Sequence, residues 1–369
     1  MRPSQQSDDH VLHGLDFSKI ILPSAIGLGV VLWLMYRQLD VEELLKIEYT
    51  YHAYIWLLLA VVTYFLRHTF YAWRLRIMSD NFFSWLKSFE LITIWEFSSA
   101  ISPTSVGGSG VAMYFLSQEK LSGGKTVALV LYSMVLDTIF VILSLVGFYL
   151  IFGAIMIRPG ASNWADLQTY GVTIIAVFIF MLGYGVLFFY GLFINPSATK
   201  RFFFILSKVP FLKRFRYDLR KTGLDMVEAS VQIREKPARF HTKSFIATSG
   251  AWICRFLIVN FLILAVVSAS DLTLYDHLLV VARGDAMYNI TAFSPTPGGS
   301  GVAEYLFGGF YGEYIPVGIA SIVTLLWRII TYYTYLVAGA IIIPNWIRKL
   351  IQKRKLEKEA EDQQTQMYI

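Results

Sequence analysis

Two short stretches of this chain carry the same unusual chemistry. Ser102-Pro103-Thr104-Ser105-Val106-Gly107-Gly108-Ser109-Gly110-Val111-Ala112-Met113-Tyr114 and Ser294-Pro295-Thr296-Pro297-Gly298-Gly299-Ser300-Gly301-Val302-Ala303-Glu304-Tyr305 are identical at ten of twelve aligned positions once one residue is skipped in the first copy. In each copy a proline stops a helix and Gly-Gly-Ser-Gly follows. Such glycines let successive backbone N–H groups point into one concavity, and they open a new helix whose N-terminus carries partial positive charge. Turns and helix ends of this kind bind anions. Ser102, Thr104, Gly107, Gly108, Ser109 and Gly110, with Ser294, Thr296, Gly298, Gly299, Ser300 and Gly301, are therefore the candidate substrate-binding residues. A phosphate-bearing head group is the natural guest. The plainer alternative is that the glycines only permit close helix packing. Duplication of the whole motif behind Ser-Pro-Thr favours a site.

Charged side chains inside apolar runs extend this set. The repeat register carries into the next helix and puts Asp137 opposite Arg328. Each lies near the middle of a hydrophobic run, where a charge costs ~3 kcal/mol on insertion scales. Either both line one central cavity or they form a structural ion pair. Arg67, Arg255 and Arg283 are further intramembrane cations, and Asp285 is close enough in sequence to neutralise Arg283 in part. Glu96 and Glu304 are acidic cavity candidates, Glu304 also standing where it would cap its own helix. Arg74 and Arg76 read as anchors that snorkel to the interface. The histidines are scattered and Cys254 is the one cysteine, so no metal set or internal disulfide is expected, and no cofactor.

The elements that must position these residues are hydrophobic helices. The chain has 369 residues, 56% of them hydrophobic and 16% charged, with a mean hydropathy of +0.53. Six runs are long and apolar enough to cross a bilayer: Ile20–Tyr36, Ile55–Trp73, Val127–Phe152, Thr173–Phe193, Phe245–Val267 and Ile315–Ile343. The first is expected to be a retained helix, since no small-residue cleavage site follows it. Phe89–Leu116 and Leu278–Phe310 differ, each being broken in the middle by the glycine motif. The segment 196–243 holds twelve Lys or Arg against four Asp or Glu, and the tail 349–369 is also charged. Basic loops stay cytoplasmic, and counting crossings between them makes both broken segments re-entrant hairpins that enter from opposite sides. The predicted fold is an all-α integral membrane bundle, polytopic, with two inverted repeats that each contain a broken re-entrant hairpin. One transmembrane domain covers 1–348, with repeat one about 54–152, repeat two about 245–343 and a cytoplasmic linker 196–243. Both termini are placed in the cytoplasm. The net charge of +6 belongs to these loops and gives no reason to expect nucleic acid. Aromatic residues interleaved with the linker's basic ones predict contact with anionic membrane lipids. A homo-oligomer is left open.

Pro295-Thr296-Pro297-Gly298-Gly299-Ser300-Gly301-Val302-Ala303-Glu304, followed by a span with Arg328, resembles the lysylphosphatidylglycerol synthase transmembrane-region family, also described as flippase-like. The resemblance covers about 15–348. It implies a lipid translocase of the inner membrane that moves a phospholipid or lipid-linked phosphate head group. In larger members this domain moves an aminoacylated phospholipid made by an attached soluble synthase. This chain ends soon after its last span, so aminoacyl transfer is not expected of it. Met113 departs from the family pattern, where an acidic residue would stand, so two symmetric carboxylates are not expected. A membrane-embedded enzyme acting on a lipid phosphate and an anion channel or carrier are the competing readings.

Overall fold

A computed structural model describes residues 51–102, 105–119, 121–210, 216–266, 272–292, 294, 296–315 and 317–367. The run Ile20–Tyr36, Pro103, Thr104 and Pro295 lie outside them. Among the described residues the structure is helical and contains no strand. In chain order the helices are α1 (Tyr51–Met78), α2 (Trp85–Ile101), α3 (Ser105–Ser117), α4 (Gly123–Phe152), α5 (Gln168–Phe189), α6 (Pro196–Leu206), α7 (Arg216–Arg234), α8 (Ala238–Val266), α9 (Leu274–Thr291), α10 (Val302–Tyr311), α11 (Val317–Arg328) and α12 (Thr334–Met367).

Five continuous helical stretches are long and apolar enough to span a membrane: Tyr51–Met78, Gly123–Met156, Trp164–Ile194, Ala238–Val266 and Ile319–Lys353. They overlap five of the six predicted apolar runs; three of the runs lie wholly inside their helices, whereas Phe245–Val267 and Ile315–Ile343 are shifted, their observed stretches being Ala238–Val266 and Ile319–Lys353. Hydrophobic side chains such as Leu58, Phe65, Leu143, Leu150, Val172 and Ile179 point outward, as lipid-facing residues do. The apolar window of α8 is 56% buried, against 22–33% for the other four, so α8 is the central helix. It packs most extensively on α1. Small residues make this close approach possible: a Cβ on Gly250 would sit 2.7 Å from the Phe70 ring.

The two broken segments form helical hairpins, α2 with α3 and α9 with α10. The base of the first is tied together by Lys87, whose Nζ lies 2.6 Å from Glu119, a carboxylate that also accepts from Trp346 Nε1 at 2.6 Å. It lies at the start of α4, where Gly124 touches the backbone of α7 at Asp225. Lys236, just after α7, reaches Asp80 at 2.6 Å, on the chain leading into α2. The base of the second hairpin lies instead at the far end of α4. Tyr275 packs edge-on to Phe152, with ring centroids 5.1 Å apart. Arg283 donates to Ile155 O at 3.3 Å and to Glu313 at 2.8 Å. The 30 residues of α4 span about 45 Å at 1.5 Å per residue. The hairpins therefore start from opposite ends of one membrane-length helix.

The linker forms two helices. Of these, α7 buries Met226, Ala229 and Ser230, packing against α4 and α6. In α6, Arg201, Phe202 and Ile205 are exposed together.

Candidate functional site

The hairpin tips meet the long helices around a cavity of about 260 Å³. Ser102 and Ser109 of the first motif and Ser294, Thr296, Gly298 and Gly299 of the second all line it. So do Arg67, Arg74, Asp137, Arg255 and Arg328, together with Glu96. Irregular backbone at membrane depth must be buried or face a polar cavity, and here it faces one.

Arg67 and Arg255 converge on a single carboxylate. Arg67 is 1% exposed and its Nη2 donates to Glu96, while Arg255 Nη2 lies 3.7 Å from the same Glu96 oxygen. Arg67 stacks over the Tyr71 and Tyr335 rings, at 5.4 Å from each centroid. Arg255 sits over Trp252 at 5.0 Å and Tyr288 at 4.8 Å. The spacing Arg67, Tyr71, Arg74 puts all three on one face of α1, and Trp252 and Arg255 share a face of α8.

Asp137 and Arg328 do not pair with each other, which removes the reading of them as a mutual ion pair. Asp137 accepts from Arg74 Nη1 at 2.6 Å and from Trp252 Nε1 at 2.9 Å. Arg74 is thus no snorkelling anchor. It is buried and also reaches Thr248 at 3.4 Å. The sequence reading missed this because Arg74 lies near the end of its apolar run. Its spacing from Arg67 was the signal available.

Arg328 is held by the second glycine turn. Its Nε donates to Glu304 at 2.7 Å and its Nη1 to Gly298 O at 2.9 Å. Glu304 also accepts from the Gly301 N–H at 2.6 Å, so it caps α10 and binds Arg328 at once. Gly298, Gly299 and Gly301 have φ of 58°, 68° and 85°, a region that costs other L-residues about 1–2 kcal/mol. Ser294 and Thr296 close the turn with a 2.8 Å bond between their hydroxyl groups, and Thr296 also donates to Ser300 O at 2.8 Å. After Arg328 the helix widens into a π-turn, Ile329–Tyr333. Tyr332 in that turn lies over Gly298, where a Cβ would stand 2.1 Å from its ring, and donates to Ala100 O at 3.3 Å. A π-turn in this position fits the frequent use of such insertions at functional sites.

The first motif behaves differently despite its near-identity. Gly107, Gly108 and Gly110 lie in the opening turns of α3 with none at positive φ, so no left-handed turn forms there. The copies differ in sequence here: the first has one residue more before its glycines, and two further differences bear on the turn. Pro297 has no counterpart in the first copy, and Met113 cannot supply the carboxylate by which Glu304 fixes Gly301. Gly108 instead lets α3 lie against α2, since a Cβ would meet Ser99 Cα at 2.5 Å. For that glycine the packing alternative is the observed one.

Several candidates stand away from the cavity wall. Gly108, Gly110, Ser300 and Gly301 do not line it, and Glu304 reaches it only through Arg328. Arg283 is fully buried elsewhere, bonded to Glu313, Ile155 O and Phe310 O. It does not neutralise Asp285, which accepts from Asn289 Nδ2 at 2.9 Å. Arg283 therefore stitches the base of the second hairpin, while Trp95, Tyr71, Tyr288 and Tyr335, which the sequence reading did not single out, line the cavity.

The family model described as the lysylphosphatidylglycerol synthase TM region matches residues 20–339, which include both glycine motifs and every charged residue of the cavity. The chain belongs to this family. It is also similar to the UPF0104 membrane protein of Archaeoglobus fulgidus, with 25% identity over 304 residues, 78% of this chain and 85% of that protein. No solved structure matches it. Membership of the lysylphosphatidylglycerol synthase TM-region family and the five spanning helices together make it a multi-pass membrane protein.

Proposed function

We propose that this chain is a lipid translocase, moving a phospholipid or lipid-linked phosphate head group across the cytoplasmic (inner) membrane through the central cavity. Its orientation in this reading places both termini in the cytoplasm and makes the two hairpin units inverted repeats. One observation carries the proposal: a polar cavity among the long apolar helices is lined by Ser102 and Ser109 of the first motif, by Ser294, Thr296, Gly298 and Gly299 of the second and by four arginines. Guanidinium groups and oriented backbone amides recognise phosphate oxygens. The hairpins approach from opposite ends of α4, so a head group held between them has one hairpin on each side. Exposed apolar faces of the surrounding helices leave acyl chains in lipid while the head group crosses.

The purified chain in liposomes containing a fluorescent anionic phospholipid tests this. Leaflet exchange is expected to exceed that of protein-free vesicles, and Arg328→Ala is expected to reduce it at least about ten-fold, equivalent to losing ~1.4 kcal/mol. Wild type equal to empty vesicles would remove the proposal. A chemically altered lipid without leaflet movement would favour a membrane-embedded enzyme, and anion current without lipid movement would favour a channel.

A further inference from the structure

The charges around the cavity do not cancel. Among the described residues Arg67, Arg74, Arg255 and Arg328 line it, and the carboxylates bonded to them are Glu96, Asp137 and Glu304. Arg74 has Asp137 to itself and Arg328 has Glu304 to itself. Arg67 and Arg255 share Glu96. Four cations against three anions leave one positive charge, and it is localised at this shared carboxylate. Arg67 Nε and Arg255 Nε are both buried without a hydrogen-bond partner, and Arg67 is 1% exposed. An arginine does not escape such a site by losing its proton. Arg255 and Glu96 are 22% and 20% exposed and both line the cavity, so an anion there can reach the pair, and a bound counter-ion lowers the cost of a net charge held at membrane depth.

We propose that Arg67 and Arg255, bridged by Glu96, form the anion station of the cavity, and that its ligand is a singly charged phosphate diester of a lipid head group. This rests on the reading of the cavity as a lipid path. A diester monoanion cancels the excess charge. A phosphate monoester dianion overshoots it. A choline head group brings its own cation, and the two aromatic faces that would receive it, Trp252 and Tyr288, already carry the Arg255 guanidinium. The Arg328 turn is self-neutralised and acts as a second, weaker contact.

Thermal unfolding of the full chain in detergent tests the station, because a ligand that binds only the folded state raises Tm. The probes are phosphatidylglycerol, phosphatidic acid and phosphatidylcholine in mixed micelles, and soluble diethyl phosphate. Phosphatidylglycerol is expected to stabilise most. Arg255→Gln is expected to weaken its apparent affinity about ten-fold, and Arg255→Lys to restore most of it. Equal responses of wild type to phosphatidylglycerol and phosphatidylcholine would overturn the proposal, and this comparison needs no variant to fold. So would an Arg255→Gln protein that keeps the full discrimination. Stabilisation by diethyl phosphate without any response to phosphatidylglycerol would overturn the lipid as its source. Selective binding without leaflet movement would leave the station standing and remove the translocase; leaflet movement without selectivity would do the reverse.

Discussion

At the scale of single residues, the charged side chains of this membrane domain fall into two kinds. Arg283 and Arg74 are held by partners they could not lose cheaply, whereas Arg67, Arg255 and Arg328 each keep a buried guanidinium nitrogen unsatisfied. Asp137 tests the first kind. Asp137→Ala leaves Arg74 buried without its carboxylate, and breaking a buried pair costs about 3–5 kcal/mol. The Asp137 side chain is 29% exposed, so the lower end of that range is expected. Replacing both partners, Arg74→Met with Asp137→Leu, should recover most of the lost Tm, because neither charge is then stranded. A double variant no more stable than Asp137→Ala would show that the pair does more than neutralise itself. From the sequence Arg74 read as an interfacial anchor, and its helical spacing from Arg67 was the one local signal against that reading. Its partner was not legible, since Asp137 lies 63 positions away and on another helix.

At the scale of elements, near-identical motifs adopt different backbones. Gly110 and Gly301 occupy the same repeat position, yet Gly110 is helical with open space at its Cβ and Gly301 sits at φ 85°. Gly110→Ala is therefore expected to be neutral or to stabilise by up to ~1 kcal/mol, through helix propensity. Gly298→Ala meets both a left-handed φ and the Tyr332 ring at 2.1 Å, and is expected to lower Tm strongly and to loosen Arg328. Melting curves of the two variants in one detergent decide this, and equal shifts would contradict the asymmetry of the turns. The motif was readable as a helix break. Which copy becomes a turn depends on Pro297 and on Glu304 reaching Gly301, a contact that short-range patterning alone does not announce.

At the scale of the whole molecule, the opposed hairpins make a topological prediction. The chain has one cysteine, the buried Cys254, so a Cys254→Ala background suits accessibility labelling. Leu86 and Leu274, 83% and 75% exposed, mark the bases of the two hairpins. A membrane-impermeant thiol reagent should label Leu86→Cys only from the cytoplasmic side and Leu274→Cys only from the opposite side. Labelling from one and the same side would exclude inverted repeats. A cysteine replacing Glu235 in the basic linker should behave like the one at Leu86, since Lys236 and Asp80 are joined by an ion pair.

Hydrophobic length, the positions of Pro and Gly, and the sum of Lys and Arg in loops are local quantities. From them alone followed the membrane class, the five described spans, the two broken segments and the placing of Arg67, Asp137, Arg255 and Arg328 inside apolar helices. Partnership is not local. That Asp137 takes Arg74 and Trp252, that Arg67 and Arg255 must share Glu96, and that Arg283 leaves the site for the hairpin base were decided only when separate helices packed. Inside a membrane each charge must find its partner within a few ångströms, because no solvent is there to take its place.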